Sequence, residues 1–347
     1  MKRKFAGMAA ALLAAVLLFP CKVNAAISAQ CGFLVDAQTG RVLYEKNADD
    51  KALIASTTKI MTALIVCEQC NVLDRVKVPA EAVGIEGSSM CLQVGEILTV
   101  QELLYGLMLQ SGNDAAVALA IYCGGTVEGF VQLMNDKAYR LGLENTHFEN
   151  PNGLDSPQHY STARDLATLA SYAMNNPIFA QTVSVKCVKV GGRYLSNHNK
   201  LLWRVDGADG VKTGYTRAAG RTLVSSAVRD GRRLIAVTLN APNDWQDHAL
   251  LFETGFNRYT IKQIVASGSC VGTVEVAGGQ AGNVALIADE DFSYALQEGE
   301  QAYLVPQGPG FVYAPTCKGQ SAGFVYVCVG ESVIGKVPVV YGETVEK

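Results

Sequence analysis

The sequence is short of the features that mark a nucleic-acid binder, a metal protein or a membrane-spanning chain. Past the first four residues it has no run of lysine or arginine, and 29 basic against 32 acidic side chains give a formal net charge of −3. That balance argues against an electrostatic grip on a polyphosphate, so no nucleic-acid partner is expected. Histidine is scarce, four in 347 residues, and the four are dispersed. One C-x-x-C, Cys67 and Cys70, has no second pair near it, so no ligand set is spaced for zinc, although the two thiols allow a redox pair. The apolar run from Ala9 to Phe19 falls short of the roughly 20 residues a transmembrane helix needs. It follows Lys2, Arg3 and Lys4 and precedes small residues, with Val23 and Ala25 at the positions that signal peptidase inspects. Residues 1–25 therefore read as a cleaved export signal, with a retained N-terminal anchor as the alternative. Ten cysteines are present, and losing Cys21 with the signal leaves an odd number at wide spacing. That is not the disulfide framework of a small secreted domain; most read as small buried hydrophobes.

What is present supports a large core. Hydrophobic residues make up 49% of the chain and charged residues 18%, enough for more than one domain. "CGFLVDAQTGRVLYEK" is two apolar stretches joined at Thr39-Gly40, a hairpin pattern. Helical spacing follows from Ser56, over Thr99 to Gln110, from Asn113 to a terminating glycine, and in "TVEGFVQLMNDKAYRLGL" and "STARDLATLASYAMNN". Strands return at "GVKTGY" and "RTLVSSAVRDGRRLIAVTLNA", the latter turning at Asp230-Gly231, and "DWQDHALLFETGFN" closes with a helix. From about Arg258 onward, short Val-rich segments are broken by Gly and Pro. The expected fold is α+β over residues 26–257, one antiparallel sheet built from both ends of the segment around an inserted helical block. A small all-β, sandwich-like domain follows over 258–347.

Within "ALIASTTKIMTALIVCEQC", Lys59 sits three residues after Ser56 in an otherwise apolar helix. Residues three apart on a helix share a face, so the amine can reach the hydroxyl. A serine is a weak nucleophile until a base takes its proton, and a lysine serves when burial and neighbouring positive charge depress its pKa. Backbone N–H groups at the helix start can stabilise an oxyanion. Alone, S-x-x-K is common by chance. It is followed by Ser111-Gly112-Asn113 on a turn between helices and by Lys212-Thr213-Gly214 on a strand edge. The ordered set S-x-x-K, S-x-N, K-T-G is a specific signature of acyl-transfer serine enzymes.

With these motifs, and with "NPNGLD", "HYSTARDLATLA", "NHNKLLW" and "APTCKGQSAGFVYV" around them, the chain resembles the low-molecular-weight serine penicillin-binding proteins, the D-alanyl-D-alanine carboxypeptidases. The resemblance implies that Ser56 attacks the carbonyl between the terminal D-alanines of a peptidoglycan stem peptide, with Lys59 as general base. The N–H groups of Ser56 and Tyr215 would form the oxyanion hole. Ser111 and Lys212 would relay the proton to the leaving amine, Asn113 would hold the substrate amide, and Thr213 with Lys212 would bind the free carboxylate, while Gly214 lets the substrate backbone approach. It implies acylation by β-lactam antibiotics and needs no metal or organic cofactor. His198 stands where some members place an arginine, and Arg217 is a second candidate cation. His159 reads as structural, and Asn152 and Gly153 as shaping a turn. The implied place is the outer face of the cytoplasmic membrane, the cell wall or the medium. No apolar helical stripe follows Tyr341, so peripheral attachment would need another anchor. A class A β-lactamase would also need E-x-x-x-N, but Glu144 and Glu149 are followed at that distance by Phe148 and Gly153. A transpeptidase of the same fold and a non-catalytic β-lactam or peptidoglycan sensor are the other readings.

Overall fold

The computed structural model describes residues 27–308 and 310–347; the expected export signal lies outside them. Strands β1 (Cys31–Asp36) and β2 (Val42–Lys46) form the hairpin read from the sequence, with Gly40 at φ +70° in its turn. A 3₁₀ turn over Ala55–Thr58 runs into α1 (Lys59–Gln69). A short hairpin, β3 (Arg75–Lys77) with β4 (Ile97–Thr99), leads to α2 (Val100–Leu109), α3 (Asn113–Gly124) and α4 (Val127–Arg140). Then come α5 (Ala163–Ala173), α6 (Pro177–Ser184), a second hairpin of β5 (Cys187–Val190) and β6 (Arg193–Ser196), and the single turn α7 (Leu201–Arg204). Strands β7 (Ala208–Thr216), β8 (Gly220–Arg229) and β9 (Arg232–Leu239) precede α8 (Asp244–Arg258).

Local chemistry sets many of these boundaries. Thr99 and Glu102 form a reciprocal capping box at the start of α2. Thr162 accepts from the Asp165 N–H to open α5. Between β8 and β9, Asp230 and Gly231 take φ +50° and +76°, the pair of positive angles a two-residue hairpin turn demands.

The sheet runs β2-β1-β9-β8-β7, every neighbour antiparallel, so strands from both ends of the segment close around the helical block. Period-2 alternation divides its two faces. From β9, Ile235, Val237 and Leu239 point into the core shared with α1 to α5, while Leu234 and Ala236 join Leu251 and Phe252 of α8 on the other side. Helix α1 is buried all round from Lys59 to Cys67, with Ile60, Met61, Leu64 and Ile65 at most 1% exposed. A helix sealed on every face is a central post of the core, and it fixes whatever its first turn carries.

Strand β7 is an edge of this sheet, and beside it stands the 3₁₀ turn of Ser56 rather than another strand. Directly after α8, β10 (Tyr259–Val265) pairs with β13 (Phe292–Gln297). A six-stranded sheet follows in the order β14-β16-β17-β12-β11-β15, comprising β11 (Cys270–Ala277), β12 (Asn283–Ala288), β14 (Ala302–Gln307), β15 (Phe311–Tyr313), β16 (Ser321–Val329) and β17 (Ser332–Tyr341). Val265 and Leu286 pack with Val325, Val327, Val337 and Val339 in its core. Arg41, at the tip of the first hairpin, reaches this region: it pairs with Glu300 at 2.6 Å, donates to the Ala295 carbonyl at 2.5 Å, and lies over the rings of Tyr259 and Tyr294.

Candidate active site

Ser56 lies not on an α-helix, as its spacing suggested, but on the 3₁₀ turn that precedes α1. The tighter turn serves the pair better, because side chains at i and i+3 eclipse in a 3₁₀-helix. Lys59 Nζ stands 3.0 Å from Ser56 Oγ. Ala55, just before the serine, is held at φ +47°, a left-handed conformation that costs a non-glycine residue about 1–3 kcal/mol and persists only where the surroundings enforce it. Part of that enforcement is Gly153: a Cβ there would stand 1.9 Å from the Ala55 carbonyl oxygen. Beneath the turn, His159 accepts from the Glu149 N–H at Nδ1, which leaves its Nε2–H to donate to Thr58 Oγ1 at 2.7 Å, and Thr58 in turn donates to the Ala55 carbonyl. Burial lowers the His159 pKa to about 4, so at neutral pH the ring is uncharged and acts as a strut.

The lysine's surroundings define its chemistry. Lys59 is fully buried, and burial, then the nearby Lys212 cation, push its pKa well below the ordinary range. Its amine donates to Asn113 Oδ1 at 2.7 Å and to the Asn152 carbonyl at 2.5 Å. A neutral amine has two N–H bonds and one lone pair. The two carbonyl acceptors take the two hydrogens, and the lone pair is left facing the Ser56 hydroxyl. Asn113 is itself fixed, since its amide donates to the Glu86 carbonyl and its backbone N–H to the Ser88 carbonyl. The next residue, Asp114, accepts from the N–H groups of Met90 and Leu92, which holds the 86–92 loop over the start of α3.

A cleft of 360 Å³ opens beside Ser56, bounded by Ser111 on one side and by Thr213, Gly214 and Tyr215 of β7 on the other. Lys212 is 1% exposed and donates to the Thr213 carbonyl at 2.8 Å, and burial lowers its pKa to about 7. Gly214 is required where it stands: a Cβ would sit 2.3 Å from Thr222 Oγ1 and 3.0 Å from the Ser56 nitrogen. As β7 is an edge strand, its outer row of N–H and C=O groups is available for an extended peptide to add as a further strand.

All the S-x-x-K, S-x-N and K-T-G residues thus converge. Of the two candidate cations, His198 reaches the cleft wall, where desolvation and Lys212 lower its pKa and leave it neutral at pH 7. Arg217 does not reach the cleft; it is exposed in the turn after β7. The cleft instead holds a cation that sequence reading missed. Arg221, opposite Tyr215 in the β7–β8 register, pairs with the buried Asp244 at 3.0 Å and lies 5.6 Å from the Trp245 ring centre. Its Nε is buried and has no hydrogen-bond partner among the described residues. The spacing of K-T-G to Arg221 gave no signal, because strand pairing, not proximity in sequence, brings the arginine back. Asn152 was read as a turn former, yet its carbonyl takes one of the two Lys59 hydrogens; a backbone acceptor has no signature in residue type.

Comparison with known proteins agrees with this geometry. A family model described as D-alanyl-D-alanine carboxypeptidase matches residues 20–243, and one for the C-terminal domain of penicillin-binding protein 5 matches residues 259–347. The D-alanyl-D-alanine carboxypeptidase DacF of Bacillus subtilis is 33% identical over 92% of this chain and 86% of its own. The crystal structure of penicillin-binding protein 5 from Haemophilus influenzae superimposes with a TM-score of 0.79 at 30% identity, covering 92% of this chain and 98% of that one. The Streptomyces K15 DD-transpeptidase does so at 0.64 and 38%, covering 67% of this chain and 98% of its own.

Proposed function

We propose that this chain, which belongs to the D-alanyl-D-alanine carboxypeptidase family, removes the terminal D-alanine from peptidoglycan stem peptides through an acyl-enzyme on Ser56. The observation that carries the reading is the double hydrogen bond that orients Lys59: with Asn113 and Asn152 holding its hydrogens, the amine presents a lone pair to the nucleophile. The stem peptide lies along the edge of β7. Ser56 Oγ attacks the carbonyl of the penultimate D-alanine, Lys59 takes the hydroxyl proton, and the developing oxyanion is met by the N–H groups of Ser56 and Tyr215. Lys212, kept cationic by the neutrality of Lys59, returns a proton through Ser111 to the leaving D-alanine amine. Water then attacks the ester and frees the shortened peptide. A β-lactam follows the same first step, and its ring-opened acyl group remains on Ser56. The work is done outside the cytoplasmic membrane, where stem peptides are exposed, after export directed by residues 1–25.

The free carboxylate of the substrate meets Thr213 and Arg221. Arg221 is favoured over Arg217 because it lines the cleft one step from K-T-G on the neighbouring strand. Substituting Arg221→Ala is expected to raise KM for a diacyl-D-Ala-D-Ala peptide about tenfold, the loss of one charge-assisted hydrogen bond shared with Asp244. Arg217→Ala leaves KM within twofold, and equal effects from the two substitutions would remove this assignment.

The reading as a whole is tested by intact-mass spectrometry after exposure to benzylpenicillin, with D-alanine release assayed in the same samples. A covalent adduct and D-alanine release that both vanish in Ser56→Ala support the carboxypeptidase. An adduct without release points to a sensor. Release that turns into peptide transfer when an amine acceptor is added points to the reaction named for the Streptomyces relative.

A further inference from the structure

The two helices that begin at the active site end at a pair of thiols which the reaction does not use. Helix α1 starts with Lys59 and α3 with Asn113, and the hydrogen bond between those side chains joins their first turns. At the far ends, Cys70 is the residue that terminates α1, and Cys123 stands in the last turn of α3. The Cys123 thiol donates to Oε1 of Gln69, the residue before Cys70, at 3.6 Å, which sets its sulfur beside the end of α1. The helices therefore run side by side in the same direction over about 16 Å, tied by a polar contact at each end, with the two thiols at the second. Both sulfurs belong to partly exposed residues, whereas Cys67, the other half of the C-x-x-C, is buried. The sequence motif pairs Cys70 with the wrong partner; the fold supplies the right one.

We propose that Cys70 and Cys123 form a disulfide on meeting a disulfide oxidant, such as oxidised glutathione or a thiol–disulfide oxidoreductase, and that this bond clamps the ends of α1 and α3. The neighbouring Cys123 thiol lowers the pKa of Cys70, while that of Cys123 is raised, which makes Cys70 the attacking group. Its thiolate displaces one sulfur of the oxidant and forms a mixed disulfide. Cys123, once deprotonated, attacks the Cys70 sulfur and displaces the second. One S–S bond forms in the protein, one is lost from the oxidant, and two electrons and two protons pass to it as a pair of thiols. Cys70 is in an extended conformation at the helix terminus, φ −113° and ψ 146°, so it can shift to bonding distance without breaking the turns that hold Lys59. Burial raises the Cys67 pKa to about 12, which leaves that thiol inert.

The test is a peptide map of the purified protein, first reduced and then treated with excess oxidised glutathione, beside thermal denaturation of both forms. The expected result is a linked peptide joining Cys70 to Cys123, about 2 Da lighter than its two reduced parts, and a Tm about 5–10 °C higher than in the reduced protein. Cys123→Ser should lose both, with glutathione left on Cys70, while Cys67→Ser keeps both. If a serine variant does not fold, the wild-type map alone decides. No linked peptide, a Cys67–Cys70 link, or a Cys70–Cys123 link without a rise in Tm would each overturn the clamp.

Discussion

Replacing Lys59 by alanine is expected to slow acylation of Ser56 by benzylpenicillin by about 10³-fold or more, within the range that removal of a general base produces. Lys59→Arg should be nearly as inactive. A guanidinium supplies a fixed positive charge and could still donate hydrogen bonds to Asn113 and Asn152, but it does not deprotonate and has no lone pair to offer. The arginine variant is therefore the sharper probe, since it separates a base from a cation that merely stabilises the cleft. Stability moves for a different reason. In Lys59→Ala, Asn113 Oδ1 and the Asn152 carbonyl lose the amine that pairs them, at about 1–3 kcal/mol for each oxygen left buried and unsatisfied. The cost is offset in part because no amine is then desolvated. Circular dichroism should show the native fold with a lowered Tm, and stopped-flow acylation should show the loss. An arginine variant acylated at the wild-type rate would end the general-base account.

Much of this site was legible in the sequence because its parts are side chains on short local motifs. Ser56 and Lys59 are three residues apart, and Ser111 with Asn113 and Lys212 to Gly214 are tripeptides, so each can be seen without the fold. The sheet was legible for a similar reason: the short β-branched and apolar runs of "LVSSAVRDGRRLIAVTL" flag β8 and β9, and Asp230-Gly231 flags the turn between them. What escaped was whatever depends on pairing across the chain or on backbone atoms. Arg221 enters the cleft through the register of β8 on β7. The Asn152 carbonyl and the Ala55 strain are properties of the folded main chain. The 3₁₀ turn at Ser56 was read as α-helix because both put i and i+3 on one face, and hydrophobic spacing over so few residues does not tell them apart.

The pH profile of acylation should separate the two buried lysines. Both start from an ordinary value of 10.5, and both are fully buried, but Lys59 carries a second depressing influence, the Lys212 cation, which outweighs the opposing pull of the Asp114 carboxylate, whereas burial alone acts on Lys212. Two ammonium groups in one desolvated site cannot both stay charged, so the proton is retained by the one with the weaker push, Lys212, and the neutral one becomes the base. Lys59 must lose its proton to work, so activity rises with pH until it does. Lys212 must keep its proton to protonate the leaving group and steady the carboxylate, so activity falls as pH climbs past its pKa of about 7. The expected profile is a bell whose alkaline limb belongs to Lys212. In Lys212→Ala the rate should drop by about 10²–10⁴. In Lys212→Arg a guanidinium does not titrate in this range. The residual activity should then rise with the Lys59 limb and stay level above pH 8, measured as kcat/KM for D-alanine release between pH 5 and 10. A Lys212→Arg enzyme that kept the wild-type alkaline limb would assign that ionisation to another group, and Lys212 would then no longer be the acid that partners Lys59 as base.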